Sequence, residues 1–462
     1  MPNEKLTEVV QLSGLSHKAL ARRVQELSAH QGRLVRCDHT SVSRWLSGTT
    51  PREATANIIT EVLSAALGRP LSLEEIGLTA SQAVDPGLGL QYDTGNATSS
   101  LEALWNADLR DLSTVVNAQP ESHAWSAATL QWLLRGESGD TRREVTLRAG
   151  QAIGSSDVQA LRATIEVFAA LDDRFGGAHA RKALIQYLRS DVASMLTAKF
   201  TAALEPELFS VAAEGALLAA WMSYDAGLQG LAQRYFIQAL KLADVADNQL
   251  LGGSILDAMS HQATYLGRSA EAVNLARAAR SGTRGVATAG VTAHFHAMEA
   301  RALAVGGESV GASKALNSAV RVFEKREPSR DPDWISYFDD AELSAEFSHC
   351  FRDLGRHADA VTYAERAISG ASERSDFFVR MVEATSRLGT PNSPHGDLDQ
   401  ACAVAGEAVK SGVQLKSARC VRYVADFRRQ LETFGTSTAI RDLIASMEDN
   451  PLWESASISS PR

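Results

Sequence analysis

Ten side chains that could bind a polyanion fall between positions 18 and 44. They are basic or hydroxyl-bearing hydrogen-bond donors: Lys18, Arg22, Arg23, Arg33, Arg36, His39, Thr40, Ser41, Ser43 and Arg44. Basic side chains neutralise phosphates, and arginine and small hydroxyl side chains hydrogen-bond the edges of bases. Arg44 could bind a guanine through two hydrogen bonds, while Lys18, Arg22 and Arg23 flank a helix start that favours phosphate. The pattern predicts contact with double-stranded DNA.

Short helices are predicted to position these side chains. Ser16 is placed to cap a helix that begins at His17, and Asp38 is placed to cap a second helix that stops at Gly48. In the second helix one face is apolar and should pack inward: Val42, Trp45 and Leu46. The opposite face is polar and should lie outside: Thr40, Ser41, Ser43, Arg44 and Ser47. A short polar face with one arginine suits a helix that enters the major groove.

The segment KALARRV, followed by TSVSRWLSGTTP, resembles the XRE-type helix-turn-helix. In that family a Leu-Ala helix precedes a Ser-Arg-Trp recognition helix that ends in Gly and Pro. The resemblance implies a DNA-binding bundle over residues 1–78. One stretch, LSAHQGRLVRCDHT, is longer than the tight turn of that family, so Arg33 and Arg36 add candidate phosphate contacts. The alternative is a small helical bundle with a solvated polar face.

Charge is distributed unevenly along the 462 residues. The net charge is −9, yet residues 1–52 hold eight Lys and Arg against four acids. A basic head on an acidic body can still bind DNA locally, because salt screens charges beyond about 10 Å at 0.1 M. No apolar run reaches the roughly 18–20 residues that span a bilayer, and the N-terminus lacks a signal-peptide pattern, so a cytoplasmic protein is expected.

The sequence offers no pattern typical of catalysis. It contains no G-x-x-x-x-G-K-[ST], H-E-x-x-H or G-x-S-x-G motif, and the four cysteines form no C-x-x-C pair. His294 and His296 are two residues apart and would point in different directions on a helix. We therefore expect a non-enzymatic protein without a metal site or cofactor, and with free thiols.

The region after residue 78 divides into a linker and a helical segment. Residues 79–100 are rich in Gly, Ser, Thr and Asp, which is linker composition. Residues 101–207 are mostly helical in pattern. The stretch 143–149 fits a short strand or a loop equally well.

An internal repeat occupies much of the second half of the chain. A glycine followed by alanines five and twelve residues later recurs five times, at Gly227/Ala232/Ala239, Gly267/Ala272/Ala279, Gly307/Ala312/Ala319, Gly355/Ala360/Ala367 and Gly396/Ala401/Ala408. Successive glycines are 40, 40, 48 and 41 residues apart. Glycine frees the backbone for a turn, and alanines seven residues apart allow two helices to approach closely. The repeat predicts a stack of helical hairpins.

This stack resembles tetratricopeptide repeats over residues 208–412, with the period lengthened from 34 to about 40 and the characteristic Trp and Pro mostly missing. Capping helices are expected up to residue 447, followed by a flexible tail over 448–462. Head and stack together resemble actinobacterial regulators that join an XRE-like head to tetratricopeptide repeats, and the peptide-responsive regulators of Gram-positive quorum sensing. The resemblance implies transcriptional control, of the kind that governs development or secondary metabolism.

Ligand candidates come from the first helix of each hairpin, which lines the concave face in tetratricopeptide stacks. They are polar residues at the expected inner positions: Asp257, Ser260, His261 and Thr264. The acidic and aromatic segment 331–346 adds Asp339 and Asp340. The other interpretation of that segment, which we favour, is a helix start whose acids complement the helix dipole.

The sequence thus predicts an all-α protein, with an N-terminal helix-turn-helix bundle and a superhelical stack of tetratricopeptide-like hairpins. The leading hypothesis is a homodimeric transcriptional regulator that binds double-stranded DNA and senses a peptide, small molecule or protein. The alternative is a non-enzymatic scaffold that binds partner proteins through its repeats. DNA affinity that falls with salt distinguishes the two.

Overall fold

The computed structural model describes residues 3–30, 35, 37–49, 51, 53–69, 71, 73, 75–78, 87–88, 94–134, 152–370, 373–389, 397–435 and 437–458. Over these residues the chain is built of helices and turns, with one isolated bridge between Ala152 and Lys199. The predicted all-α class is confirmed. None of the helices described is long and apolar enough to cross a membrane. The predictions for Arg33, Arg36, Gly396 and 143–149 lie outside the described residues.

Two compact units divide the chain, residues 1–85 and 86–462. The first unit contains four helices: α1 (Glu4–Leu12), α2 (His17–His30), α3 (His39–Leu46) and α4 (Glu53–Leu67). Their apolar faces share one core, in which Leu6, Leu20, Val24, Ile59 and Leu63 are fully buried. Each such side chain contributes about 1.5–3 kcal/mol. These short helices therefore depend on the shared core more than on their own propensity.

Side-chain caps begin the first three helices. Asn3 Oδ1 accepts a hydrogen bond from Leu6 N at 3.0 Å, and Ser16 Oγ accepts from Ala19 N at 3.2 Å. At α3, Asp38 Oδ1 accepts from Ser41 N at 2.9 Å. Gly48 follows α3 with φ +101°, a conformation that favours glycine. The predicted caps at Ser16 and Asp38 and the stop at Gly48 are confirmed.

Six helices open the second unit: α5 (Thr94–Leu109), α6 (Ser113–Val116), α7 (Ser122–Leu134), α8 (Ser155–Phe175), α9 (Arg181–Tyr187) and α10 (Ala193–Thr197). A π-helical turn over Leu188–Val192 joins the last two. Part of the predicted linker 79–100 is already ordered in this unit. Residues 94–100 are the first turns of α5, and Gln238 Nε2 donates to Gly87 O at 2.8 Å. The helix extends this far because Leu101 and Trp105 anchor it in the core.

The region 101–207 shares its core with the repeats and is not a separate domain. Leu104, Trp105 and Leu184 belong to the same apolar cluster as Phe236. A buried polar centre, Asp108, makes the same connection: it accepts from Arg181 Nη1 at 2.6 Å and from Tyr235 Oη at 2.8 Å.

Five helical hairpins follow. They are α11 (Glu205–Asp225) with α12 (Gln229–Val245), α13 (Gln249–Tyr265) with α14 (Ser269–Gly282), α15 (Ala289–Val305) with α16 (Ser309–Phe323), α17 (Asp340–Asp353) with α18 (His357–Ile368), and α19 (Glu373–Leu388) with α20 (Leu398–Ser411). The turn glycines of the first four have positive φ, at Gly227, Gly267, Gly307 and Gly355. The predicted hairpins are confirmed.

The repeat alanines are the contact points within the hairpins. All ten are at most 1% exposed: Ala232, Ala239, Ala272, Ala279, Ala312, Ala319, Ala360, Ala367, Ala401 and Ala408. The irregular spacing of 48 residues also has a structural cause. Between α16 and α17 the chain adds two 3-10 turns, Pro328–Arg330 and Asp333–Ile335. This insertion is held by Phe338, which is fully buried.

Three further helices follow in the part of the chain that the structure describes: α21 (Ala418–Leu431), α22 (Thr438–Ser446) and α23 (Pro451–Ile458). The prediction of a flexible tail over 448–462 is wrong for residues 451–458. Leu452 and Trp453 are each 5% exposed and pack into a second core with α21, and the Arg428 guanidinium lies 4.5 Å from the Trp453 ring centroid. Apolar burial of two large side chains outweighs the polar composition that suggested fraying.

The end of the hairpin stack meets its beginning. Lys416 N donates to Phe175 O at 2.7 Å, and Ser417 Oγ donates to Asp225 Oδ1 at 2.8 Å. Asp225 Oδ2 also accepts from Gly177 N at 2.8 Å. A Cβ at Gly177 would lie 2.6 Å from Met222 O, so only glycine allows this approach. Helix α21 is therefore fixed beside α11.

Candidate functional site

The outer face of α3 carries the predicted DNA-contacting residues. Val42 is fully buried and Trp45 is 8% exposed, so this helix is anchored on its inner side as expected. The outer side chains are exposed at His39, Thr40, Ser43, Arg44 and Ser47, and Ser41 is half-buried. The structure thus brings these residues together on one face.

A capping box already engages part of that face. Asp38 Oδ1 accepts from Thr40 Oγ1 at 2.6 Å and from Ser41 Oγ at 2.9 Å. The Thr40 bond, followed by those from Ser41, holds the pKa of the Asp38 carboxyl well below its usual range. Asp38 is therefore ionised at any working pH. Its charge stabilises the helix start but repels phosphate there.

Arg44 is the side chain of α3 best placed to donate to an outside acceptor. Ser43 Oγ donates to His39 O at 3.0 Å, and Ser47 Oγ donates to Ser43 O at 2.9 Å, so both hydroxyl protons are engaged. Arg44 Nη2 makes a marginal contact of 3.5 Å with Ser41 Oγ. Most of the guanidinium donors therefore remain available, while the serine oxygens can still accept.

Helix α2 presents the basic residues beside α3. Lys18, Arg22 and Arg23 are exposed, and Arg22 Nε lies 3.5 Å from Glu26 Oε1. An exposed pair of this kind contributes about 0.3–0.5 kcal/mol, so phosphate competes with it easily. The two helices are held together by Gln25 Nε2, which donates to Cys37 O at 2.8 Å. Phosphate binding along α2 would avoid the charge of Asp38.

Three of the ligand candidates in the second unit have structural partners. Asp257 Oδ2 lies 2.8 Å from His294 Nδ1, and Ser260 Oγ donates to Ala272 O at 2.8 Å. Asp339 caps α17 and accepts from Ala341 N and Glu342 N, each at 2.9 Å. Asp340 is exposed in the first turn of α17. The helix-start interpretation therefore accounts for Asp339 and Asp340.

His261 belongs to a group of residues that the sequence interpretation did not bring together, and Thr264 is buried on the same helix. We call this group the inner cluster: Trp221, Tyr224, His261, Tyr265, Arg301, His349, Arg419 and Tyr423. Four of these occupy one register of the repeat, six residues before the turn glycine: Trp221, His261, Arg301 and His349. Aligning the repeats on their turn glycines would have revealed this shared position, because the residues immediately before and after it are more often apolar.

Ring–ring and cation–π contacts connect the helices that carry the inner cluster. Trp221 on α11 lies 5.5 Å from His261 on α13, between ring centroids. His349 on α17 lies 6.3 Å from Tyr423 on α21. The Arg419 guanidinium on α21 lies 4.8 Å from the Tyr224 ring centroid on α11. Helix α11 therefore contacts the cluster residues of both α13 and α21.

Comparison with known proteins relates one part of the chain to a family. Residues 6–79 match the SP15 N-terminal domain. This match covers the four-helix unit and a small part of the whole chain. No curated protein matches the chain.

Proposed function

We propose that the protein is a sequence-specific DNA-binding transcriptional regulator, in which α2 and α3 act as a helix-turn-helix of the XRE type. The observation that carries the proposal is Arg44, exposed on a helix that Val42 and Trp45 anchor from behind. A helix held in this way projects a short polar face at a fixed angle, which reading base edges requires.

The electrostatics of the first unit support anchoring through α2. Lys18, Arg22 and Arg23 lie on one exposed helix, whereas Asp38 places a negative charge at the start of α3. Phosphates would bind along α2 and fix the register, and Arg44 would then select bases. Asp38 would disfavour arrangements in which a phosphate meets the start of α3.

The second unit supplies the regulatory part of the proposal. Its hairpins, with positive-φ glycines and buried alanine pairs, resemble tetratricopeptide repeats with a longer period. Each hairpin packs chiefly on its neighbours in the stack, so small rotations of several hairpins add up within the limit set by the contact of α21 with α11. A peptide, small molecule or partner protein bound to the first helices would change DNA binding in this way.

Selection of bound fragments from a random DNA pool tests the function directly. Full-length protein should enrich a common motif, and affinity for it should fall steeply between about 50 and 200 mM salt, as phosphate contacts predict. Arg44→Ala should weaken the enrichment and remove the preference at one base position of the motif. Arg69→Ala is the matched control, since Arg69 is an exposed arginine of the same unit, paired with Glu75 at 2.7 Å.

Two results would contradict the proposal. One is a pool that remains random after selection, and the other is enrichment that Arg44→Ala leaves intact. The first would favour the scaffold alternative, in which the repeats bind partner proteins. The second would move the reading surface away from α3.

A further inference from the structure

The inner cluster lies where the first helices of four hairpins meet α21. Trp221 and Tyr224 come from α11, His261 and Tyr265 from α13, and Arg301 from α15. His349 comes from α17, and Arg419 and Tyr423 come from α21. Arg419 and Tyr423 reach the other residues because α21 is fixed beside α11 by the hydrogen bond from Ser417 to Asp225. The cluster is thus a product of the closed stack.

Within the inner cluster, aromatic rings contact guanidinium groups and one another. The Arg419 guanidinium lies 4.8 Å from the Tyr224 ring centroid and 4.3 Å from that of Phe378. Tyr224 and Tyr265 are 5.2 Å apart, edge to face. The rings of Trp221, His261, Tyr265 and Tyr423 are half-buried and so keep an accessible part. Such rings offer stacking surfaces to a planar molecule.

Several polar atoms of the cluster have no hydrogen-bond partner although they are buried. They are Tyr224 Oη, Arg301 Nε, His349 Nδ1 and Arg419 Nε. Tyr224 is fully buried, His349 is 7% exposed and Arg301 is 8% exposed. Buried polar groups are nearly always paired, and an unpaired one calls for an explanation. Tyr224 Oη and the two guanidinium Nε atoms donate, and His349 Nδ1 donates in one of its tautomers, so together they indicate a site for an acceptor.

The charges in the cluster also favour an anion. Arg301 is paired with Glu346 at 2.7 Å, but Arg419 lies 3.6 Å from Asp225, whose two oxygens already accept from Ser417 and Gly177. Burial, and after it the charge of Arg301, lowers the pKa of both His261 and His349 well below its usual range. Burial, reinforced by the neighbouring arginines, thus disfavours the charged form of both imidazoles.

Unpartnered atoms that can accept also occur among the described residues of α13, namely Asp257 Oδ1, Gln262 Oε1 and Thr264 Oγ1. The other oxygen of Asp257 is bound to His294, and Glu346 is bound to Arg301. These two carboxylates therefore have an imidazole and a guanidinium partner within the protein.

We propose that the inner cluster binds a small organic anion with a planar, unsaturated part. The anionic group lies between Arg301 and Arg419 and accepts from Tyr224 Oη and His349. The planar part stacks on Trp221, His261 and Tyr265. Binding of such an anion would supply the signal for the proposed regulator. Only this role as a signal rests on the proposed function.

Calorimetric titration of the full-length protein without DNA tests the site, so its outcome does not depend on DNA binding. The probes are 2-naphthoate and adenosine 5′-monophosphate, which join a planar ring to a carboxylate or a phosphate. The neutral analogue 2-naphthamide and inorganic phosphate test each part alone. At least one planar anion should bind once per chain and about tenfold more tightly than either partial probe. Which of the two binds distinguishes a carboxylate ligand from a phosphate ligand.

Tyr224→Phe removes one unpartnered hydroxyl and provides the sharpest variant. Without a probe it should unfold at the same temperature as the parent protein or higher, because no protein hydrogen bond is lost. It should bind the planar anion about tenfold more weakly, the effect of one hydrogen bond to a charged group. The matched control is Tyr235→Phe, since Tyr235 is equally buried but bonded to Asp108. That control should unfold at a lower temperature and bind the anion unchanged.

Three outcomes would overturn the proposal. The first is the absence of saturable binding by both planar anions, and the second is equal binding of 2-naphthoate and 2-naphthamide. The third is a Tyr224→Phe protein that loses as much stability as Tyr235→Phe without a probe, which would mean that the hydroxyl has a partner in the protein. DNA selection that fails while the anion binds would instead refute the proposed function and leave the site intact.

Discussion

At the scale of single residues, the outer face of α3 is divided between helix capping and recognition. Thr40 and Ser41 give their hydroxyl protons to Asp38, and Ser43 and Ser47 give theirs to backbone carbonyls. Local bonds of this kind are the reason that Ser and Thr favour helix starts. Among the side chains of α3, Arg44 therefore has the most donors left for a base.

Two arginine substitutions should have different effects on DNA binding. Arg44→Ala should cost about 1–3 kcal/mol on the selected site and weaken preference at one base position. Arg22→Ala should weaken binding to all sequences alike and make the salt dependence shallower by about one unit, because it removes a phosphate contact. Fluorescence anisotropy on selected and scrambled duplexes at several salt concentrations measures both. Equal losses on both duplexes for both variants would show that α3 is not the reading helix.

Glu342 is a second residue whose surroundings allow a quantitative prediction. Burial, and after it the charge of Glu346, raises the pKa of its carboxyl from 4.5 to about 7. Between these values the folded protein holds a proton that the unfolded chain has released. Stability contributed by this group therefore falls as the pH rises from about 4.5 to about 7.

Glu342→Gln should consequently stabilise the protein at pH 7.5 by about 1 kcal/mol, because it removes a half-buried charge that solvent screens in part. Near pH 4.5 the difference from the parent protein should disappear. Urea unfolding at both pH values measures this. Glu308→Gln, at an exposed glutamate before α16, is the control and should change little at either pH. A loss of stability at pH 7.5 would mean that the ionised carboxylate has a favourable partner.

At the scale of elements, the hairpin turns show why the repeat keeps glycine. Gly307 has φ +75°, and a Cβ there would meet nothing within 4 Å. A side chain at this position would thus have room, but its backbone would have to adopt a conformation that L residues rarely adopt. The requirement for glycine is conformational, and crowding has no part in it.

Gly307→Ala should therefore destabilise the protein by about 1–2 kcal/mol. Gly311→Ala, four residues later inside α16, is the matched control. Its φ is in the ordinary helical range and a Cβ would lie 3.4 Å from the Leu303 side chain, so it should stabilise by up to about 1 kcal/mol through helix propensity. Thermal unfolding of both variants provides the comparison. If both variants changed the unfolding temperature in the same direction, the positive φ assigned to Gly307 would be refuted.

At the scale of the whole molecule, the chain consists of two compact units with separate cores. A single short recognition helix reads only a few base pairs, so we expect two copies of the first unit to act together. Dimeric helix-turn-helix proteins contact half-sites about 34 Å apart on symmetric operators. The first unit shows no large apolar surface for pairing, since its described apolar residues mostly share one core, and we expect the second unit to supply the dimer contact.

A fragment of residues 1–85 should fold by itself and bind the selected site about a hundredfold or more weakly than the full-length protein, because it lacks the linked second site. Circular dichroism, anisotropy and analytical ultracentrifugation measure folding, affinity and mass. Equal affinity of fragment and full-length chain would rule out cooperation between two heads. So would a full-length protein that remains monomeric at micromolar concentration and still protects a symmetric site.

Local patterns in the sequence were sufficient to predict the helices and the exposed face of α3. The caps Ser16 and Asp38, the stop at Gly48 and the turn glycines all act within a few residues of themselves, so propensity and spacing reveal them. The alanine pairs of the repeat predicted the hairpins for the same reason. By contrast, Trp453 was missed because its partner Arg428 lies in another helix.

The inner cluster and the pairing of its side chains were decided by the tertiary structure alone. Tyr224 and Arg419 are almost 200 residues apart, and they meet because Asp225 binds both Ser417 and Gly177. The sequence marked His261 and Thr264 as polar residues on an inner helix face, but which polar atoms remain unpaired depends on all the helices around them. Burial, and with it the free-energy cost of an unpaired donor, is a property of the packed stack and not of any segment.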